Sequence, residues 1–190
     1  MSEVDPWTRG PIRPGLLRNL IIPSSRVEKE KSSVLTNRDK ALIHARLIEL
    51  GFIRLGQELQ FTFPPKRHPG SGSEYSFEGF IGKNETDEVY IAKLGRGRQT
   101  TTHRHPFPIR EPYYVEAGRL GLVRDGKFTE VKAGEMVTIE RGVVHQAGVD
   151  EEWEEDALLL LIMRNASFFP KDKRHIPVPE NYFDHGRFIG

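Results

Sequence analysis

Thr102-His103-Arg104-His105-Pro106-Phe107-Pro108-Ile109-Arg110-Glu111, preceded by Gly97 and followed at Gly118 by a second glycine, is the stretch that decides how this chain is read. Alternate side chains on a strand share a face, so His103 and His105 can present two nitrogens to one ion. Two histidines in that pattern arise by chance on many surface strands, and their weight comes from the frame around them. Gly97 and Gly118 bracket the segment, and a second framed segment runs from Gly134 through Gly142 to a third imidazole at His145. Glycine supplies the positive backbone dihedrals that tight turns require, so both segments read as strands delimited by turns.

The two framed segments, together spanning roughly residues 95 to 150, resemble the two motifs of the cupin superfamily. In that family the first motif contributes two histidines and a glutamate, and the second contributes one histidine. The resemblance therefore implies His103, His105, Glu111 and His145 as metal ligands in a jelly-roll β-barrel. Against the family pattern, the His105 to Glu111 interval is one residue longer and carries Pro106 and Pro108. Glu140 stands where a proline is usual, and Val149 stands where an asparagine is usual. Three imidazoles and one carboxylate in a six-coordinate site leave about two positions for water or substrate. One divalent transition metal is expected, Fe or Mn first, with Zn, Ni or Co also compatible with such ligands.

Composition bounds the rest. The chain has 190 residues, enough for one domain with a substantial core. Its 28 Lys and Arg against 27 Asp and Glu leave a formal charge of +1. That balance argues against a nucleic-acid partner, which would require a clustered cationic excess. There is no cysteine, so disulfides and thiolate ligands are excluded and a metal must be held by nitrogen and oxygen. The longest apolar run, residues 157–163, is too short for a membrane span, and the N-terminal segment with Asp5, Arg9 and Arg13 lacks a signal-peptide core. The expectation is a soluble, cytoplasmic protein.

Along the chain, residues 1–35 are polar and proline-interrupted and read as an N-terminal arm, compatible with the homodimer that the family resemblance implies. Residues 36–56 read as a helix and connector: Thr36 and Asp39 suit a capping box, Ala41, Leu42, Ala45, Ile48 and Leu50 recur at helical spacing, and Gly51 ends it. His44 on that helix has no second ligand at helical spacing and reads as an ordinary helical histidine. Residues 57–165 read as the barrel. Leu59, Phe61 and Phe63 alternate as a strand, residues 64–73 form a loop carrying His68, and Tyr75, Phe77 and the run from Val89 to Ile91 continue the β signal. Asp125-Gly126 is a hairpin turn between two apolar runs, and residues 157–163 read as a strand buried on both faces. Residues 166–190 read as a tail packing on the barrel, with His175 and His185 at the surface. The fold class is mainly all-β, a jelly-roll barrel preceded by an arm and one helix.

Around the motif, Arg96, Arg98, Arg104 and Arg110 cluster, and guanidinium groups suit a carboxylate or phosphate on a small-molecule substrate. Strand alternation turns Arg104 and Arg98 outward, leaving Arg96 and Arg110 as the arginines to watch, while Gln99 and Thr101 share the parity of His103 and can line the cavity. Tyr113 shares the parity of Glu111, and the two are the candidate catalytic residues; a core tyrosine is the alternative for Tyr113. Three functions fit: a dioxygenase binding a small organic acid or enol, a metal-dependent sugar isomerase or epimerase in which Glu111 or Glu116 moves a proton, and a non-catalytic module holding a small ligand or metal. A single helix ahead of the barrel is not enough for a helix-turn-helix regulator.

Overall fold

The computed structural model describes residues 35–56, 77–83, 86–170 and 173–190. The arm up to residue 34, the Leu59, Phe61 and Phe63 strand, the loop with His68, and Tyr75 lie outside the described residues.

The capping signal at Thr36 is realised in α1 (Asn37–Glu49). Thr36 Oγ1 accepts the Asp39 amide at 3.1 Å, and the Asp39 carboxylate accepts the Thr36 amide at 2.9 Å, so each satisfies a donor the helix start leaves open. Gly51, with φ of 74°, follows the last turn in the left-handed region that ends helices. The buried face of α1, Ile43 and Leu47, packs with Phe52 and Ile53 on a sheet. Two ion pairs clip the helix there, Lys93 to Asp39 at 3.1 Å and Arg46 to Glu116 at 2.8 Å.

That sheet contains β1 (Phe77–Lys83), β2 (Glu88–Leu94), β5 (Glu111–Ala117), β8 (Met136–Ile139) and β10 (Ala157–Met163), in the order β1-β2-β10-β5-β8. A second sheet contains β3 (Arg98–Gln99), β4 (His103–Arg104), β6 (Arg119–Arg124), β7 (Lys127–Lys132), β9 (His145–Val149) and β11 (Ile176–Pro177), in the order β11-β4-β9-β6-β7 with β3 also on β9. Every described pairing is antiparallel. The central strand β10 explains its own unbroken apolar sequence. Leu158, Leu160 and Ile162 face the helix, while Leu159 and Leu161 face the space between the sheets, packing with Val115, Leu120, Leu122, Ala147 and Val149. The architecture is the jelly-roll barrel expected, strand-rich with one α-helix and a short 3-10 turn at Ala166–Phe168 among the described residues.

Asp125 and Gly126 both have positive φ, 46° and 76°, the geometry a two-residue hairpin needs to match the twist of β6 and β7. The tail does more than wrap the surface. β11 adds a strand beside β4, and a small hairpin of β12 (Phe183–Asp184) and β13 (Arg187–Phe188) lays the fully buried Phe183 on Gly121 and Gly148. A Cβ on Gly148 would stand 2.7 Å from the Phe183 ring, so this ring seats only where the sheet has no side chain.

Candidate metal centre

The four residues implied by the two motifs meet in space: one ligand atom from each of His103, His105, Glu111 and His145 lies within 4.8 Å of every other. All four are buried, from 0 % exposed at His145 to 8 % at His103. They come from both sheets. His103 on β4 and His145 on β9 are directly opposed partners of an antiparallel pair, which sends their side chains to the same face with ring centroids 4.2 Å apart. Glu111 opens β5 in the other sheet, so the cluster sits in the barrel interior between the two.

His105 departs from the expected geometry. β4 covers only two residues, and His105 lies beyond its end, so sheet pairing does not hold this ring. Its Nδ1 is instead 2.8 Å from the carbonyl of Arg174 in the tail. Arg174 is itself buried and anchored: its guanidinium donates to the Phe169 carbonyl from Nε at 3.0 Å and Nη2 at 2.8 Å, pairs with Glu88, and reaches Tyr90 Oη at 3.4 Å. On the other side, the His105 carbonyl accepts the amide of Gly142, joining the two motifs. The longer interval before Glu111 is taken up by a turn in which the Ile109 amide donates to the Pro106 carbonyl at 2.9 Å, and the fully buried Ile109 holds that turn to the barrel end.

The hydrogen bonds set the tautomers. Nδ1 of His103 faces the Thr101 carbonyl at 2.9 Å, Nδ1 of His105 faces the Arg174 carbonyl, and Nδ1 of His145 faces the Val143 carbonyl at 3.1 Å. A carbonyl only accepts, so each Nδ1 carries the proton and, in the neutral ring, each Nε2 offers a lone pair. Two of these lone pairs confront a carboxylate oxygen: Glu111 Oε2 is 2.8 Å from His105 Nε2 and 3.5 Å from His145 Nε2. Among the described residues, the buried His145 Nε2 has no hydrogen-bond partner. A lone pair and a carboxylate oxygen at 2.8 Å repel unless a positive charge stands between them, either a proton on Nε2 or a metal ion. Backbone carbonyls fixing Nδ1 while Nε2 points inward is the arrangement that orients metal-binding imidazoles. The donor set, three imidazoles and a carboxylate, fits a divalent transition metal.

Charge effects agree. Burial pushes the His103 imidazole down to about 3, and neighbouring His145 adds to the shift, so His103 is neutral and available as a ligand at neutral pH. Burial opposes ionisation of Glu111, but positive charge on the facing imidazoles, His105 first, outweighs it and holds the carboxyl well below its usual range, the same effect that a metal cation at those nitrogens would have.

Other expectations are corrected. Gln99 does not line the interior: its side chain donates to the Phe183 carbonyl at 2.8 Å and accepts the Gly186 amide at 2.9 Å, holding the tail hairpin. Thr101 is exposed and Thr102 is buried, because residues 100–102 belong to no strand and alternation does not carry across them. Glu116, paired with Arg46, faces the helix on the far side of β5. Arg96 sits at a barrel end near Trp153, and Arg104 is exposed, as its parity predicts. Tyr113 is buried on the Glu111 side of β5, its ring 6.4 Å from that of His145. His175 is exposed, yet its ring lies 4.8 Å from His103 and 5.0 Å from His105, so it caps the cluster from the tail. No local signal in the polar tail marks His175 or Arg174 for this position. Among the described residues, no helix is long and apolar enough to cross a membrane.

Residues 90–163 match the family model of the cupin domain. Among solved structures, the chain is similar to KdgF from Halomonas sp., at 17 % identity over 61 % of this chain and 98 % of that one, with a TM-score of 0.48. It is also similar to a cupin-like protein from Thermotoga maritima, at 21 % identity over 58 % and 86 %, TM-score 0.46. A predicted oxalate decarboxylase from the same organism matches at 19 % identity over 57 % and 99 %, TM-score 0.49. No curated protein matches the chain.

Proposed function

This chain carries a cupin domain, and from that premise we propose that it is a metal-dependent enzyme acting on a small molecule at His103, His105, Glu111 and His145, with dioxygenase-type chemistry. The observation that carries this reading is the buried convergence of His105 and His145 Nε2 on Glu111 Oε2, which one divalent cation held by all three groups would satisfy together. A bound Fe(II) or Mn(II) would supply open positions where a substrate oxygen and dioxygen meet. The chain's own groups do the rest. Carbonyls of Thr101, Arg174 and Val143 orient the three rings, and the apolar interior around Val115, Ile139 and Leu161 keeps bulk water from the reacting atoms. Tyr113, on the face of β5 that carries Glu111, is placed to contact a substrate beside His145.

The isomerase reading is disfavoured by two contacts. It needs a carboxylate that can move a proton, yet Glu111 is enclosed by two imidazoles and Glu116 is paired with Arg46 on the opposite face. The test joins metal analysis to oxygen uptake. Protein purified without added metal is assayed for transition metals, then for oxygen consumption with catechols, diketones and keto acids. Stoichiometric iron or manganese with substrate-dependent oxygen uptake, both lost in His145→Ala, is the expected result. Protein that neither holds nor takes up metal sinks the proposal; metal without oxygen uptake across the panel returns the site to an isomerase or a binding module. A homodimer is proposed alongside, to be checked by size-exclusion chromatography with and without residues 1–35.

A further inference from the structure

The polar tail carries one histidine that the chemistry proposed above does not use. His175 is exposed, yet its ring meets those of His103 and His105 edge-on, with centroids 4.8 and 5.0 Å away and interplanar angles of 63° and 64°. The candidate ligands have the same spacing among themselves: 4.2 Å from His103 to His145, 5.0 Å from His103 to His105 and 5.1 Å from His105 to His145. A surface imidazole therefore stands as near to two of the candidate ligands as they stand to each other.

Strand register puts it there. β11 pairs with β4 so that Pro177 opposes His103 and Ile176 opposes Arg104, and one further step of the same register sets His175 against His105. Opposed residues of an antiparallel pair send their side chains to one side, here the side of the metal centre. The backbone is fixed from both directions. On one flank Arg174 has a buried side chain and a carbonyl 2.8 Å from His105 Nδ1; on the other, the Val178 amide donates to the Thr102 carbonyl at 3.1 Å. A side chain in contact with solvent is thus carried on a backbone held against the cluster.

Of the four candidate ligands His103 is the most exposed, at 8 %, and it is one of the two that His175 touches. Solvent meets the cluster on this side, and a small ligand arriving from solvent passes His175. An imidazole has two ring nitrogens, so a contact at one leaves the other to meet a ligand, and an N–H facing an anionic oxygen makes a charge-assisted hydrogen bond. Resting on the metal-dependent reading proposed above, we infer that His175 is a substrate-contacting residue at this entrance. It donates a hydrogen bond to an anionic oxygen, carboxylate or enolate, of the small molecule bound at the metal centre. The tail thereby adds a recognition element that neither barrel motif supplies.

Full-length protein loaded with Co(II) tests this, with 4-nitrocatechol as an enolate-like probe and pyruvate as a carboxylate probe, each titration followed by visible absorbance. The expected result is saturable binding of at least one probe. It should weaken about tenfold or more in His175→Phe, which keeps a ring against His103 and His105 but has no nitrogen. His175→Gln keeps a hydrogen-bond donor without the ring and should bind the probe nearly as well as the unaltered chain. Co(II) affinity, which also reports that each variant is folded, should be the same in all three proteins. A role limited to packing on the ligand rings predicts the opposite order, with His175→Gln impaired and His175→Phe intact, and that order overturns the inference. So does unchanged probe binding in His175→Phe, a loss of Co(II) affinity there that matches the loss of probe binding, or a loaded protein that binds neither probe; metal binding by the unaltered chain survives all of these results. Protein that takes up no Co(II) overturns the metal-dependent reading itself, and this inference with it.

Discussion

Replacing Arg174 by methionine tests whether the tail sets the geometry of the metal centre. Arg174 and Glu88 are 5 % and 3 % exposed, and Arg174→Met removes the guanidinium that pairs with the buried Glu88 carboxylate. Removing one member of a buried, hydrogen-bonded ion pair costs about 3 to 5 kcal/mol. The lower end applies here, because Tyr90 Oη still donates to Glu88. At roughly 2 to 4 °C per kcal/mol for a chain of this size, the melting temperature should fall by about 6 to 12 °C. The second consequence is at His105. Its Nδ1 partner is the Arg174 carbonyl, which the substitution keeps but no longer holds in place, and loss of such an outer contact weakens metal binding about 10- to 100-fold. Urea unfolding of metal-free protein measures the first effect, and competitive Co(II) titration monitored by absorbance measures the second. Glu88→Leu combined with Arg174→Met should recover part of the stability, since both charges of the buried pair are then removed, without recovering the metal affinity. The reasoning is refuted if Arg174→Met costs less than about 1 kcal/mol, the scale of an exposed pair, or if Co(II) affinity is unchanged.

Three further outcomes are expected. Burial lowers the His103 pKa from 6.5 to about 3, so between those values the unfolded chain binds a proton that the folded chain does not, and stability must fall as pH drops through that window. Glu111, also lowered, acts with the same sign below its ordinary value of 4.5; urea midpoints that rise on acidification between these limits would contradict both assignments. Gly148→Ala drives a methyl group into the Phe183 ring and should cost about 1 to 3 kcal/mol, partly restored by Phe183→Leu, with protease sensitivity appearing near β12 and β13. Thr36→Ala removes the acceptor for the Asp39 amide and should cost about 1 kcal/mol in urea unfolding without altering metal binding.

The clustering of His103, His105, Glu111 and His145 was legible because its signal is local: two histidines two apart, a carboxylate and a third histidine, each tied to a turn glycine. The helix cap at Thr36, the Asp125-Gly126 hairpin and the buried strand Ala157–Met163 were legible for the same reason. What alternation could not carry was the break after Gln99. Parity counted from His103 placed Gln99 and Thr101 inward, but the three residues between β3 and β4 follow no pleat. At Glu116, five residues from Glu111, strand parity alone turns the side chain to the other side of β5, where it pairs with Arg46. The opposition of His103 to His145 and of Arg110 to Arg164 depends on register between distant strands, which no local pattern encodes. The role of Arg174 is expressed through a backbone carbonyl, and every residue has one.

The Arg174 carbonyl also imposes an order of assembly. A chain emerging from its N-terminus has supplied all four candidate ligands once His145 is made, and both sheets have their central strands by Met163. His105 still lacks the acceptor that selects its tautomer until residue 174 is available to dock. Domains begin to fold while the chain is being synthesised, so a nascent barrel passes through a stage with the right ligands and an unset ring. Under the proposed metal-binding reading, the orientation of the His105 ring toward an ion is set only once the tail has docked.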